Sequence, residues 1–424
     1  MKELTISSRC WTAVRRHWPI ATCFIVVLPI AIFVGLWQGS IFTQADTENY
    51  LSLATGDVRH AMLPFASRQL GPLVVRGLVN LLHVTIKTGF FIEGIASMIF
   101  FIGTVLFLLA RSGAPRMMIP AVAGLSFWAQ QFNGLVMPDL FYAALLCVFL
   151  LLIHRHHILA ASLMMFPLAL SRESTMLTLV CFLIAGWRRL RASEVFASLL
   201  ATACGLIIAK HLAAHALPNK ENITPMFYMA AKMPWNFLKN ILGLKIWANV
   251  YQSCEVPKLI IPLHLGPLRK IGLCGFNAQL PVTMLSYGFA SFGLLPLLLL
   301  KVRNVRLPSD SNRDLLLKFS VLYGGLSFIL APLLGEAFVR LFGYGWPLFL
   351  VALPILLGAT RYPFSSGKTA LIFLGLHLLL SWSMIFILSP VTLLAISVAL
   401  YAAGWIVLRQ SRHTFEYHAW GKRF

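Results

Sequence analysis

The sequence predicts an all-α fold, a polytopic transmembrane helical bundle of about 12 helices at roughly 20 residues per crossing. Three observations carry that class. Hydrophobic residues make up 58% of the 424 positions and charged residues only 12%, a balance that suits a multi-spanning chain and not a water-soluble globule. Apolar runs recur from Trp18 to Leu408, so 1–424 reads as a single integral membrane domain. Basic residues gather in alternate connections between those runs.

The candidate crossings are 18–38, 89–110, 117–136, 138–153, 158–170, 173–186, 194–215, 281–300, 315–333, 341–360, 369–389 and 391–408. Lys2, Arg9, Arg15 and Arg16 precede the first of them, as in the basic region of a signal peptide. Its apolar stretch is longer than a signal peptide's and lacks a small-x-small cleavage site, so it reads as a retained helix. The short runs meeting around Pro138 and around Ser171-Arg172-Glu173 read as hairpins, whose irregular backbone must line protein or a wet cavity.

Charge sets the expected orientation. Of the 35 Lys and Arg, 21 fall in the termini and alternate loops, among them Arg111, Arg155, Arg188, Arg189, Arg191, Arg313 and Lys318, and the positive-inside rule makes that side cytoplasmic. Nine of the 14 acids sort to the other side, including Asp46, Glu48, Asp139, Glu173 and Glu336. Loop bias and anionic lipid explain much of the net charge of +21, and no nucleic-acid partner is needed.

Two outer segments are large, 39–87 and 216–280. In the first, Asp46-Thr47-Glu48-Asn49 opens an amphipathic stretch closed by Gly56, and Gly71-Pro72 opens another that runs to Leu82; both read as helices in the membrane plane. Asp46, Glu48 and Gly56 are good helix-capping residues, which offers a purely structural role. The alternative is a reactive site at the membrane surface. Residues two apart on a helix point to nearly opposite sides, so Asp46 and Glu48 share a site only if Asp46 still lies in the loop.

Asp46-Thr47-Glu48, Pro64-Phe65-Ala66-Ser67-Arg68, Met137-Pro138-Asp139 and Ser171-Arg172-Glu173 follow one another across the first 190 residues. An acidic D-x-E element after the first helix, in-plane helices, and an acid opening the fourth helix resemble the GT-C superfamily of integral membrane glycosyltransferases. The resemblance implies a polyprenyl-phosphate sugar donor, a catalytic part in 1–190 and further helices in 281–424. It also implies a bacterial inner-membrane location, termini in the cytoplasm and a site on the periplasmic or outer face. Glycosyl transfer needs one carboxylate to accept the acceptor's proton and cations to neutralise the departing phosphate. Asp46 and Glu48 are then the catalytic pair, with Asp46 the general base. Arg59, Arg68 and Arg76 are placed to contact phosphate, Arg68 foremost because it sits between the in-plane helices.

Asp139 either caps its helix or joins Asp46 and Glu48 in holding Mg2+ or Mn2+ or sugar hydroxyls. Arg172 and Glu173 either pair locally to brace their hairpin or contact the donor. Glu336 and Arg340, four apart, face the same choice, with the i,i+4 pair favoured.

The second outer segment mixes Lys220, Lys232, Lys239, Lys245, Lys258, Arg269 and Lys270 with Tyr228, Trp235, Trp247 and Tyr251, and reads as an interfacial loop over the site. Cys254 and Cys274 in it are expected to form a disulfide. Three motifs fail inspection. Ser366-Gly367-Lys368-Thr369 lacks the first glycine of a phosphate-binding loop, and His211 and His215 lack the glutamate of a zinc-protease helix. Asn222-Ile223-Thr224 is a glycosylation sequon, meaningful only in a eukaryotic secretory pathway. The expected activity is sugar transfer to a glycan, lipid or protein acceptor at the bilayer surface. The alternatives are a transporter or flippase of a lipid-linked or anionic substrate and a polysaccharide polymerase or ligase; the sequence shows no internal repeat of the transporter kind.

Overall fold

A computed structural model of the chain describes residues 25–33, 46–132, 136–218, 232–248, 251–252, 257–265, 268–302, 312–360, 364, 367–386 and 388–410. Most of the first expected crossing, the sequon at Asn222 and Cys254 lie outside the described residues.

The helices of the first half are α1 (Thr47–Thr55), α2 (Leu70–Leu82), α3 (Ile86–Arg111), α4 (Met118–Ala123), α5 (Phe127–Phe132), α6 (Pro138–His154), α7 (Ile158–Leu163), α8 (Met165–Ser171), α9 (Thr175–Gly186) and α10 (Ala192–Leu212). A sheet follows, with β1 (Leu244–Ala248), β2 (Tyr251–Gln252), β3 (Leu259–Leu265) and β4 (Leu268–Phe276). The rest comprises α11 (Gln279–Ala290), α12 (Leu295–Val302), α13 (Asn312–Leu334), α14 (Phe338–Gly343), a π-helical stretch Pro347–Ala352, α15 (Leu353–Gly358), α16 (Gly367–Ser383) and α17 (Pro390–Gln410).

The protein is mostly helical, and α3, α10, α13 and α17 are long and apolar enough to cross a membrane. The α11–α12 pair, bent by 65°, passes that test as one broken span. Several crossings expected from the sequence are shorter or broken among the described residues. The 117–136 run divides into α4 and α5 at Gly124, the 158–170 run into α7 and α8, and the 341–360 run into α14, the π stretch and α15. The purely α-helical expectation also misses the sheet, which is antiparallel with order β2-β1-β4-β3. In β1, Ile246 and Ala248 are buried while Lys245 is exposed, the period-two pattern of a half-buried strand.

Local chemistry sets the helix ends that position the site. The α1 helix stops at Gly56, whose left-handed backbone (φ 89°) lets its N–H reach the Leu53 and Ser52 carbonyls. Pro138 opens α6, where its missing N–H costs nothing. In α3, Thr85 Oγ1 caps the start by accepting from the Thr88 N–H at 3.2 Å. Exposed Leu73, Val74, Leu81 and Leu82 give α2 an outward apolar face, while Gly71, Pro72 and Val75 are buried. That face suits the boundary of a bilayer.

The core is aromatic. Phe101 of α3 meets Trp346 at 4.7 Å and Trp128 at 5.2 Å, and Phe292 stacks on Phe349 at 4.5 Å. The bend between α11 and α12 is held by His377, which is fully buried. Its Nδ1 accepts from the Leu294 N–H at 3.0 Å, and its Nε2 faces the Ala121 carbonyl at 2.9 Å, which fixes the proton on Nε2. Gly324 permits α13 to lie on the chain at 345–348, since a Cβ there would fall 2.4 Å from the Leu348 nitrogen. This contact lies directly after Tyr344 in the chain.

Candidate functional site

Six separated segments deliver charged and phenolic side chains to one end of the helices. The first is α1 with the turn behind it. Asp46 occupies the capping position, yet its side chain makes no capping hydrogen bond and faces Arg340, with Oδ2 3.7 Å from Nη1. One turn on, Tyr50 is fully buried and its hydroxyl accepts from Arg68 Nη1 at 2.9 Å. Asn49 ties α1 to the following loop by accepting from the Met62 N–H at 2.8 Å.

Arg68 follows the short 3-10 turn Phe65–Ser67 and is buried. Its Nε and Nη2 grip Glu173 Oε2 and Oε1 at 2.9 and 2.5 Å, a two-pronged contact that fits a planar guanidinium to a carboxylate. The next residue fixes the docking, because the Gln69 N–H donates to the Leu170 carbonyl at 3.0 Å. Burial by itself would raise Glu173, but the Arg68 guanidinium outweighs it and holds the carboxyl down at about 2.

Arg172 and Glu173 lie in the irregular turn between α8 and α9. Arg172 does not brace the hairpin by pairing with its neighbour. It donates to Asp139 Oδ1 and to the Tyr344 hydroxyl, and lies over the Tyr344 ring at 4.8 Å. Tyr344 donates to the same Asp139 oxygen, and Arg340 Nε lies 3.8 Å from Oδ2. Asp139, on the first turn of α6, is thus held by three side chains from two other parts of the chain, the turn at 172 and the segment 340–344.

The expected Glu336–Arg340 pair is replaced by two longer-range contacts. Arg340 turns to Asp46 and Asp139, and Glu336 accepts from Lys239 at 2.5 Å. Asn236 and Asn240 donate to the carbonyls of Leu333, Pro332 and Gly335, fastening the 232–240 segment over the end of α13. Lys232 comes with it. Burial lowers its ammonium below the usual lysine range, repulsion from Arg68 and Arg340 adds to the shift, and Asp46 and Glu336 oppose it.

The structure brings together Asp46, Arg68, Asp139, Arg172 and Glu173. It leaves Glu48 exposed on α1 and Arg59 exposed on the 3-10 turn Val58–His60. The one-turn geometry explains Glu48: Thr47, Asn49 and Tyr50 take the buried positions around it. Tyr50 and Tyr344 join the site unforeseen, Lys232 arrives with the loop expected to cover it, and Arg340, weighed for a substrate contact but expected to pair with Glu336, belongs to it too. Arg340 and Tyr344 share one helical face, a four-residue spacing that the competing Glu336 pairing obscured.

The residues do not fit the Mg2+ or Mn2+ centre weighed for Asp46, Glu48 and Asp139. Among the described residues no group of three metal-ligating side chains converges, and Asp139 is engaged by two guanidiniums and a phenol. Cys274 is disulfide-bonded, and its expected partner Cys254 lies outside the described residues.

This arrangement of apolar spanning helices closing on a buried charged cluster defines the class: a helical membrane protein with a polar site at one end of its bundle. No protein-family model matches the chain, and a search of curated proteins finds no match.

Proposed function

We propose that the chain is a membrane glycosyltransferase. In this reading it moves a sugar from a polyprenyl-phosphate carrier to a glycan, lipid or protein hydroxyl at the outer face of a bacterial inner membrane. The supporting observation is the position of Asp46. It is half-buried, is not used as a helix cap, and opens onto a site where Arg68, Arg172, Arg340 and Lys232 stand against Asp139 and Glu173.

The chemistry divides among these groups. Asp46 accepts the proton of the acceptor hydroxyl as that oxygen bonds to the sugar's anomeric carbon. The bond from that carbon to the phosphate oxygen breaks, and its electron pair leaves with the phosphate. Arg340 is held to its carboxylates only at 3.7 and 3.8 Å, so it is the cation with most freedom to turn to that developing charge, with Lys232 beside it. Arg172 and Arg68 are tied into short ion pairs and position Asp139 and the 173 turn.

A transporter needs polar groups leading from one end of the bundle to the other. Between Asp139 and His154, α6 carries only Tyr142 and Cys147 as polar side chains, and Tyr142 is bonded to Thr178 at 2.7 Å. That favours chemistry at one end over passage through the bundle.

The test is transfer of radiolabelled sugar from a panel of polyprenyl-phosphate sugars to endogenous acceptors, in membranes with matched amounts of wild type or Asp46→Asn. Loss of a general base is expected to lower transfer by about 10² or more. Equal transfer by the two proteins removes Asp46 from this role. No transfer above empty membranes with any donor sets the reading aside.

A further inference from the structure

The far end of the same helices holds a second polar concavity. The α6 helix starts at the Asp139 cluster and, with 17 residues, ends about 25 Å away in the turn at Arg155. The α9 helix follows Arg172-Glu173 and leads to Arg189 and Arg191, while α13 begins beside Asp314 and ends before Glu336. Three helices that frame the candidate site therefore converge again at their other ends. There they border a cavity of about 570 Å³ lined by His156, His157, Arg189, Arg191, Glu194 and Leu315 among others.

Its charge is one-sided. Glu194, the acid in the lining, is directed to the start of α10, where Oε2 accepts from the Arg191 N–H at 2.8 Å. Arg189 Nη2 lies 3.0 Å from Asp314 Oδ2, but Lys318 Nζ claims the same oxygen at 2.7 Å, so one carboxylate is divided between two cations. The surplus continues in the chain next to the lining, where Arg155 directly precedes His156. Arg111 and Arg155 both lie over the Phe107 ring, at 5.7 and 5.9 Å, where their like charges repel unless an anion lies near. Exposed Leu159 and the apolar lining at Ile158 and Leu315 give the cavity an oily side next to its cationic one.

From this geometry we infer that the cavity binds a phosphate-bearing anion, recognised by Arg189, Arg191 and the paired histidines. The phosphate group is the shared chemistry of two sources, a phospholipid headgroup with its acyl chains along Leu159 and free phosphate from solution. Guanidiniums match phosphate oxygens in two-pronged contacts, and Asp314 keeps Arg189 aimed while leaving the wall cationic. The site stands apart from the sugar-transfer reading, because its lining shares no residue with the Asp46 cluster.

The experiment uses the full chain purified in a neutral maltoside detergent and follows saturable binding of three probes: inorganic phosphate, dioctanoyl phosphatidylglycerol and dioctanoylglycerol. The variants are the double substitution Arg191→Gln with His157→Gln, the charge-preserving Arg191→Lys, and Lys245→Gln as a loss of one exposed charge on the sheet. Saturation by phosphatidylglycerol alone identifies a headgroup site; saturation by inorganic phosphate as well identifies a phosphate site that needs no lipid. In either case the double variant is expected to weaken binding by about tenfold or more, the scale of one lost charge-assisted contact. Arg191→Lys keeps the charge but loses the two-pronged contact and is expected to fall between wild type and the double variant, and Lys245→Gln to stay near wild type. Arg191→Lys also controls for misfolding at this position. The inference is overturned if neither phosphate probe saturates or if dioctanoylglycerol binds equally well. It is also overturned if the double variant binds like wild type or if Lys245→Gln loses as much.

Discussion

Asp139 and Asp314 are both almost fully buried carboxylates with two cations each, and they sit at opposite ends of the same helices. Asp314 is a knot between two helices, with one partner near in sequence and the other, Arg189, 125 positions earlier. Lys318 is four residues away on the same helix, and Arg189 belongs to the turn packed beside it. Asp139 draws on residues 33, 201 and 205 positions away, and its outermost partner, Arg340, also reaches Asp46. A carboxylate that only fastens helices can use its neighbours. One that joins remote segments, through contacts graded from short to loose, ties the closing of its cluster to the packing of the whole chain.

The largest expected effect lies in the tight half of the Asp139 cluster. Arg172→Met removes the buried cation and leaves a buried carboxylate with the Tyr344 hydroxyl and a distant guanidinium, and should cost about 3–5 kcal/mol of stability. Thermal unfolding in detergent checks it. A loss below about 1 kcal/mol would mean that Arg340 closes onto Asp139 in its place.

Asp314→Asn should cost less, about 1–3 kcal/mol, because the cations it abandons are already 22% and 42% exposed and regain water. If the two substitutions cost the same, the contrast between the two carboxylates fails.

The Arg68–Glu173 pair should show in acid. The folded carboxyl is held at about 2, below its ordinary value of 4.5. Its contribution is therefore complete above pH 4.5 and is lost as pH falls towards 2. Unfolding midpoints measured across that window should drop less steeply in Glu173→Gln than in wild type. Parallel curves would show that Glu173 gains nothing from Arg68. The smallest effect is expected for Lys239→Gln, whose partner Glu336 is 43% exposed: within about 1 kcal/mol.

Much of the site was legible in sequence because acids in apolar surroundings are conspicuous. Asp46, Asp139, Arg68, Arg172 and Glu173 all stand out that way, and all come together. Their pairing was not legible. Arg172 and Glu173 look like partners because they are adjacent, yet adjacent side chains on an extended turn diverge, and each finds a partner across the bundle. Glu336 and Arg340 fit the helical i,i+4 rule, but α14 begins only at Phe338, so the two do not share a helix. Tyr50 and Tyr344 carried no charge to draw attention.

The fold was readable in its helical, membrane-spanning character and less so in its segmentation. Gly124 and the 163–165 junction break runs that hydropathy alone treats as continuous. The sheet went unseen because cations beside aromatics in 244–276 were weighed as interfacial composition, although Leu244-Lys245-Ile246-Trp247-Ala248 already alternates as a strand does. Arg340 and Tyr344, far beyond residues 1–190, complete the cluster.

That late completion has a consequence for biosynthesis. The Asp139–Arg172 contact is available once the first 172 residues have entered the bilayer, but the guanidinium beside Asp46 does not exist until residue 340 has been made. At about 5–20 residues per second the nascent chain passes roughly ten to thirty seconds between the two events. During that interval Asp46 faces an unfinished opening at the membrane surface. The order of synthesis thus leaves the charged cluster incomplete until most of the helices are in place.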